Sequence, residues 1–203
     1  MEYPSDGLPY PKQFEIKDDI IMEVRPETPE DIEKLIIFFR EIPEGDRLVL
    51  RRDVTNRQVM QDRIKELQSG YLISHLALID DQIVGEATVY AQPYGWFRHV
   101  GDLRIIVDPK FRNMGIGNNL TQDMIGLVAH RNLDKIMIHL MEHQVSQINH
   151  LKEMGFVDEA RLKNHITDHR GDKHTLVVMT HYVPDLWRRL EDMIMDTDAF
   201  YIR

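Results

Sequence analysis

The sequence contains no cysteine, which removes disulfides, thiolate metal sites and a cysteine nucleophile together. Long hydrophobic runs are also missing. The longest, Leu35-Ile36-Ile37-Phe38-Phe39, falls far short of the roughly 20 residues that a membrane span needs. Positive charge is scarce: 25 lysines and arginines face 34 acidic residues, a formal net charge of −9. Nucleic acid is therefore not expected as a partner, whereas a basic, lysine-bearing protein would suit that field. The opening Met1-Glu2-Tyr3-Pro4-Ser5-Asp6 has neither a basic start nor an apolar stretch, so no secretory signal is read and a cytoplasmic protein is expected. The ten histidines include no H-E-x-x-H. His139 falls in an expected strand and His143 in the loop after it, so no metal is expected.

What remains is an ordinary globular composition, 42% hydrophobic and 29% charged over 203 residues, enough for one domain of about 150 residues with short extensions. Residues 1–19, with Pro4, Pro9 and Pro11, read as an extended arm. A strand over 20–25 leads to Thr28-Pro29-Glu30-Asp31, a helix start with Thr28 as N-cap and Pro29 in the first turn. Ile32, Leu35, Ile36 and Phe39 give that helix an apolar stripe, and Pro43-Glu44-Gly45 ends it. A second helix is expected over 56–69, then a hairpin of strands 71–79 and 83–91 around Asp80-Asp81-Gln82. After a loop at Pro93-Tyr94-Gly95-Trp96 come a strand over 100–107 and a helix over 116–131, stopped at Asn132. A strand over 135–140 and a helix over 145–154, closed by Gly155, follow. The last two strands, 156–162 and 175–182, are joined by a polar loop from Asn164 to His174. The tail 184–203 reads as one more helix with Trp187, Leu190, Met193 and Ile194 on a face. Packing is its expected role, and a homodimer contact the alternative.

The chain turns on Val107-Asp108-Pro109-Lys110-Phe111-Arg112-Asn113-Met114-Gly115-Ile116-Gly117. A β-type run leads into it, and an apolar helix face of Ile116, Leu120, Met124 and Val128 leaves it. Strand, two-glycine turn and helix expose several backbone N–H groups at a helix N-terminus, where an anion, above all a phosphate, is favoured. There is no G-x-x-x-x-G-K-[ST], and the G-x-G-x-x-G spacing fails at Leu120. What remains is V-x-x-x-x-R-x-x-G-x-G.

That wording resembles the acetyl-CoA signature [RQ]-x-x-G-x-[GA] of the GCN5-related N-acetyltransferase (GNAT) superfamily, with Arg112, Gly115 and Gly117 in its fixed positions. The element order and the Leu151-Lys152-Glu153-Met154-Gly155-Phe156 close are similar to that fold over about residues 20–182. The resemblance implies a single GNAT domain of the α/β (α+β) class. Its sheet would be mixed, mostly antiparallel and twisted, of about seven strands flanked by helices, between an arm (1–19) and a helical tail (183–203). Within the superfamily, Tyr10-Pro11, Arg25-Pro26, Pro29-Glu30-Asp31 and Phe38-Phe39 resemble the Pat-type protein lysine acetyltransferases.

The resemblance implies acetyl-CoA as cosubstrate and no metal. Its pyrophosphate would lie on Arg112, Asn113, Met114, Gly115, Ile116, Gly117 and Asn118, and its pantetheine arm along the backbone of Ile105, Ile106 and Val107. Transfer would be direct, from thioester to a neutral amine, and a lysine of pKa about 10.4 needs a base to become neutral. The Pat-type base position falls on Asp102. Asp102 and Arg104 share a strand face, so an ion pair is the plain alternative. Glu86, on the neighbouring strand, is the reserve candidate, or a strand carboxylate with no special role. The tyrosine that protonates the leaving thiolate in many such enzymes is replaced by Leu151. His150 reads as a surface residue. His165, His169 and His174 either bind the acceptor or simply line an exposed loop; Trp96 and Phe97 are either core or an acceptor-side lip. Three functions compete: a protein lysine acetyltransferase, a small-amine acetyltransferase of the same fold, and a CoA-binding regulatory module.

Overall fold

The computed structural model describes residues 8–50, 52–131 and 133–183. The expected tail helix over 184–203 and the Asn132 stop lie outside the described residues. Strands β1 (Lys12–Glu15), β2 (Ile21–Pro26), β3 (Leu72–Ile79), β4 (Gln82–Ala91), β5 (Val100–Val107), β6 (Lys135–Met141), β7 (Val157–Thr167) and β8 (Lys173–Tyr182) form one sheet. Their order is β1-β2-β3-β4-β5-β6-β8-β7. Every neighbouring pair is antiparallel except β5 and β6. The helices are α1 (Ile32–Glu41), α2 (Glu44–Arg47), α3 (Arg57–Ser69), α4 (Ile116–His130) and α5 (Val145–Glu153).

Two apolar layers follow from the alternation of the strands. On one face, α4 and α5 cover Val24, Ala77, Ala87, Val89, Leu103, Ile136, Ile138 and Val177. On the other, the stripe read for α1 packs with Met60 of α3 against Leu76, Leu78, Ile83 and Ile106. Gly85 lets α4 lie close on β4, because a Cβ there would meet Ile116 at 3.1 Å and Leu120 at 3.2 Å. Helix α3 starts where Asn56 accepts hydrogen bonds from the N–H of Gln58 and Val59. The first helix is entered through a tighter fixture. The Asp31 carboxylate accepts from Thr28 N–H at 2.9 Å and holds both Arg25 terminal nitrogens at 2.7 Å. Burial works to raise the Asp31 carboxyl, but Arg25 and Thr28 outweigh it and hold it below its ordinary value.

Two expectations are corrected here. Part of the arm is a strand: β1 pairs with β2 from Lys12↔Val24 to Glu15↔Ile21 and makes the sheet eight-stranded. The polar loop of 164–174 is much shorter, since β7 runs to Thr167 and β8 begins at Lys173. As an edge strand, β7 is mostly exposed, so its polar residues hide the strand pattern. His165 therefore stands in a strand.

Candidate active site

The parallel pair β5/β6 does not run to its end. It holds from Val100↔Lys135 to Leu103↔Ile138 and stops there. Beyond that point Arg104–Val107 stays paired with β4 and His139–Met141 with β8. Each strand therefore turns a length of backbone into an opening inside the sheet. Such edges offer N–H and C=O groups to any extended chain with amides of its own.

The two-glycine turn sits at the mouth of this opening. Asp108, buried, caps the 3-10 turn Pro109–Phe111 by accepting from Lys110 N–H at 2.9 Å, and donates its own N–H to Val84 O at 2.9 Å. Gly115 has φ +91° and is the N-cap of α4, a backbone that a side chain would strain. Asn119 N–H closes on Gly115 O at 3.1 Å, while the helix gives Ile116, Gly117 and Asn118 no intrahelical acceptor. A Cβ at Gly117 would have only Val107 within 4 Å, at 3.9 Å, so a ligand can come close to the backbone. An anion of pyrophosphate size fits these donors. The Arg112 side chain is turned elsewhere, to Asp46 of α2 at 2.6 Å. Of the three β5 residues expected beside the pantetheine arm, Ile106 sends its side chain into the α1 core, whereas Ile105 and Val107 are half-buried.

The face over the opening, on the α1/α3 side, carries the titratable groups. Asp102 lies where β5 and β6 are still paired, opposite Tyr90 and beside Met137. Its Oδ2 accepts from Arg104 at 3.0 Å, and its Oδ1 lies 3.6 Å from Nδ1 of His139. Arg104 also donates to the carbonyl oxygen of Val49, fastening the segment after α2 over the strand. His139 is the first residue of β6 beyond the last parallel pair. Sequence reasoning missed this neighbour. Only the register of a parallel pair between distant segments brings it to Asp102, and single-strand patterns carry no such signal.

Glu86 is placed quite differently. It is 2% exposed and bonded to Arg63 of α3, which also holds Glu27 through Nε at 2.8 Å and Nη2 at 2.5 Å and donates to Ser74 at 3.0 Å. Burial is the largest influence on Glu86 and pushes its carboxyl up to about 7; Arg63 opposes that and Glu27 adds to it. The remaining candidates separate. His174 of β8 is paired with Asp168 at 2.9 Å and rests edge-on against His143, and that pairing holds Asp168 down at about 2. His169, in the β7–β8 turn, lies against Gly45 of α2. His150 is half exposed beside Glu153. Trp96 and Phe97 are exposed, at 86% and 69%, which rules out the core reading. Leu151 is buried. Among the described residues, no group of three or more histidines and carboxylates could hold a metal ion, and no helix is long and apolar enough to cross a membrane.

A turn with unpaired N–H donors lies at the mouth of a splayed parallel strand pair, with ionisable groups at its closed end, an arrangement that fits an extended ligand carrying both phosphate and amides. Residues 35–156 match the model of the Acetyltransferase (GNAT) family, and the chain belongs to that family. It is an N-acetyltransferase with acetyl-CoA as its cosubstrate. No curated protein matches the chain by sequence. Solved structures share its fold. Ribosomal-protein-alanine N-acetyltransferase from Brucella melitensis is similar at 19% identity and TM-score 0.69, over 78% of this chain and 98% of that one. The spermidine/spermine N-acetyltransferase of Vibrio cholerae aligns at 14% identity and TM-score 0.68, over 83% and 98%. The Salmonella typhimurium protein yncA, solved with its cofactor acetyl-CoA, aligns at 14% identity and TM-score 0.68, over 80% and 94%.

Proposed function

We propose that the chain moves the acetyl group of acetyl-CoA to the side-chain amine of a protein lysine. The pyrophosphate lies on the backbone of Arg112–Asn118, and the pantetheine arm fills the opening beside Ile105, Ile106 and Val107. The thioester then faces the closed end of the opening, where Asp102 draws the proton that the incoming ammonium must lose. The observation that carries this reading is the coincidence of the turn, the opening and a carboxylate on one path.

Two features favour a protein acceptor. The net charge of −9 attracts a basic partner. A free polyamine asks for open carboxylates to neutralise its spaced cations, yet on this face Glu27 and Glu86 are both engaged by Arg63 and Asp102 by Arg104. A similar fold in a polyamine enzyme does not supply those carboxylates.

Calorimetry with acetyl-CoA, followed by a thiol-release assay, tests the proposal. A lysine-rich unfolded protein should release CoA and gain acetyl groups on lysine side chains by mass spectrometry, while spermidine should not. Turnover of spermidine or other small amines with no protein acetylation overturns the lysine assignment.

A further inference from the structure

The groups at the closed end of the opening differ in what can reach them. The Asp102 side chain is 8% exposed and held by Arg104, whereas the His139 side chain is 26% exposed. Along β6, alternation turns Lys135, Met137, His139 and Met141 to the face opposite the α4 layer, all half-buried. His139 is thus the first side chain on that face past the point where the strands part. Of the two groups, the imidazole is the more open to an incoming amine.

We infer that His139 is the catalytic base and that Asp102 is the residue that positions it. This rests on the acetyl-transfer reading above and replaces Asp102 as the direct acceptor of the proton. With Nδ1 toward the carboxylate, Asp102 selects the tautomer that carries the proton on Nδ1 and leaves the lone pair on Nε2 for the substrate. The 3.6 Å separation is long for a hydrogen bond, a common state of catalytic pairs before substrate closes the site. Arg104 fixes the carboxylate from its other side.

The step balances as follows. The lysine ammonium gives one proton to Nε2 of His139, which passes it to solvent. The freed nitrogen pair forms the N–C bond at the thioester carbonyl, and the C–S bond breaks with its electron pair on sulfur. The second proton leaves the nitrogen as the amide forms and ends on the CoA sulfur. Acetyl-lysine, free thiol and one solvent proton are the products. The charged groups facing His139 from β5 are Asp102 and, behind it, Arg104. From β8 it meets Val178 directly opposite, with Thr180 one step along the same face opposite Met137; neither is charged.

Four measurements on the whole chain decide it. His139→Gln should lower kcat by about 100-fold with acetyl-CoA binding retained in calorimetry, which also shows that the variant folds. The dependence of kcat on pH should change between wild type and that variant. Imidazole in solution should restore part of the rate to His139→Gly. Nitrogen-15 spectra of the ring, which need no acceptor, should show the Nδ1–H tautomer in the wild type and a shift toward Nε2–H in Asp102→Asn. A His139→Gln enzyme within about twofold of wild type in kcat, or a ring tautomer indifferent to Asp102→Asn, overturns the inference. A normal tautomer response in a chain that acetylates no lysine would count against the acceptor assignment instead.

Discussion

Two carboxylates, Glu86 and Asp102, stand on neighbouring strands and on one face of the sheet, yet their surroundings give them opposite occupations. Glu86 shares the single guanidinium of Arg63 with Glu27 in a buried pocket under α3. Two negative charges and one positive charge leave an excess there, and burial lifts the Glu86 carboxyl to about 7. Asp102 has an arginine of its own, Arg104, on one oxygen and a partly exposed imidazole near the other. The first arrangement consumes its charges internally. The second passes charge toward the opening. A perturbed carboxylate is therefore no guide to chemistry by itself; what its partners can reach decides.

The largest test of this contrast removes Arg63. Arg63→Met leaves two buried carboxylates without their counter-ion and should cost about 3–5 kcal/mol of stability, read as a large loss in denaturant midpoint. A small change would mean that the cluster is hydrated rather than dry. Next comes Asp102→Asn, expected to lower kcat by about 100-fold with acetyl-CoA affinity and melting temperature nearly unchanged. Unchanged turnover would remove Asp102 from the reaction and make the two carboxylates equivalent. Arg104→Gln should act more gently, raising the acceptor KM and lowering kcat by roughly tenfold, because both the carboxylate and the Val49 segment lose an anchor.

The smallest effect on turnover belongs to Glu86→Gln. The folded carboxyl of Glu86 titrates near 7, above the ordinary value of about 4.3 for an unfolded chain. The folded state therefore binds more protons in that window, and stability falls as pH rises through it. Glu86→Gln should flatten the decline in melting temperature between about pH 4 and about pH 7 and leave kcat within about twofold. A loss of activity comparable to that of Asp102→Asn would erase the distinction drawn here.

The strand, glycine turn and helix at the mouth of the opening were legible because they are local. Arg112, Gly115 and Gly117 sit within six residues of one another, and a strand and a helix flank them with clear periodicities. The start of α1 was legible for the same reason; Thr28 and Asp31 bond across one turn. The ionisable clusters over the sheet were not, since their partners come from far apart. Arg63 meets Glu27 across 36 positions, and His139 meets Asp102 only through the register of β5 and β6. Strand β1 was read as a plain arm because four residues between prolines and a 3-10 turn carry too short an alternation to register. The polar edge strand β7 lacks the one-sided apolar pattern on which strand reading depends.

The parting of β5 and β6 also bears on how the protein fares when acetyl-CoA is scarce. A sheet edge normally lies at the rim, where charges and bulges discourage other chains from adding themselves; here two short edges face each other in the interior. Whatever occupies that gap mends the sheet. A cosubstrate bound there at one hundred times its dissociation constant would add about 2.7 kcal/mol to the folded state. Acetyl-CoA seated in the gap should therefore slow proteolysis of the chain as well as feed its turnover.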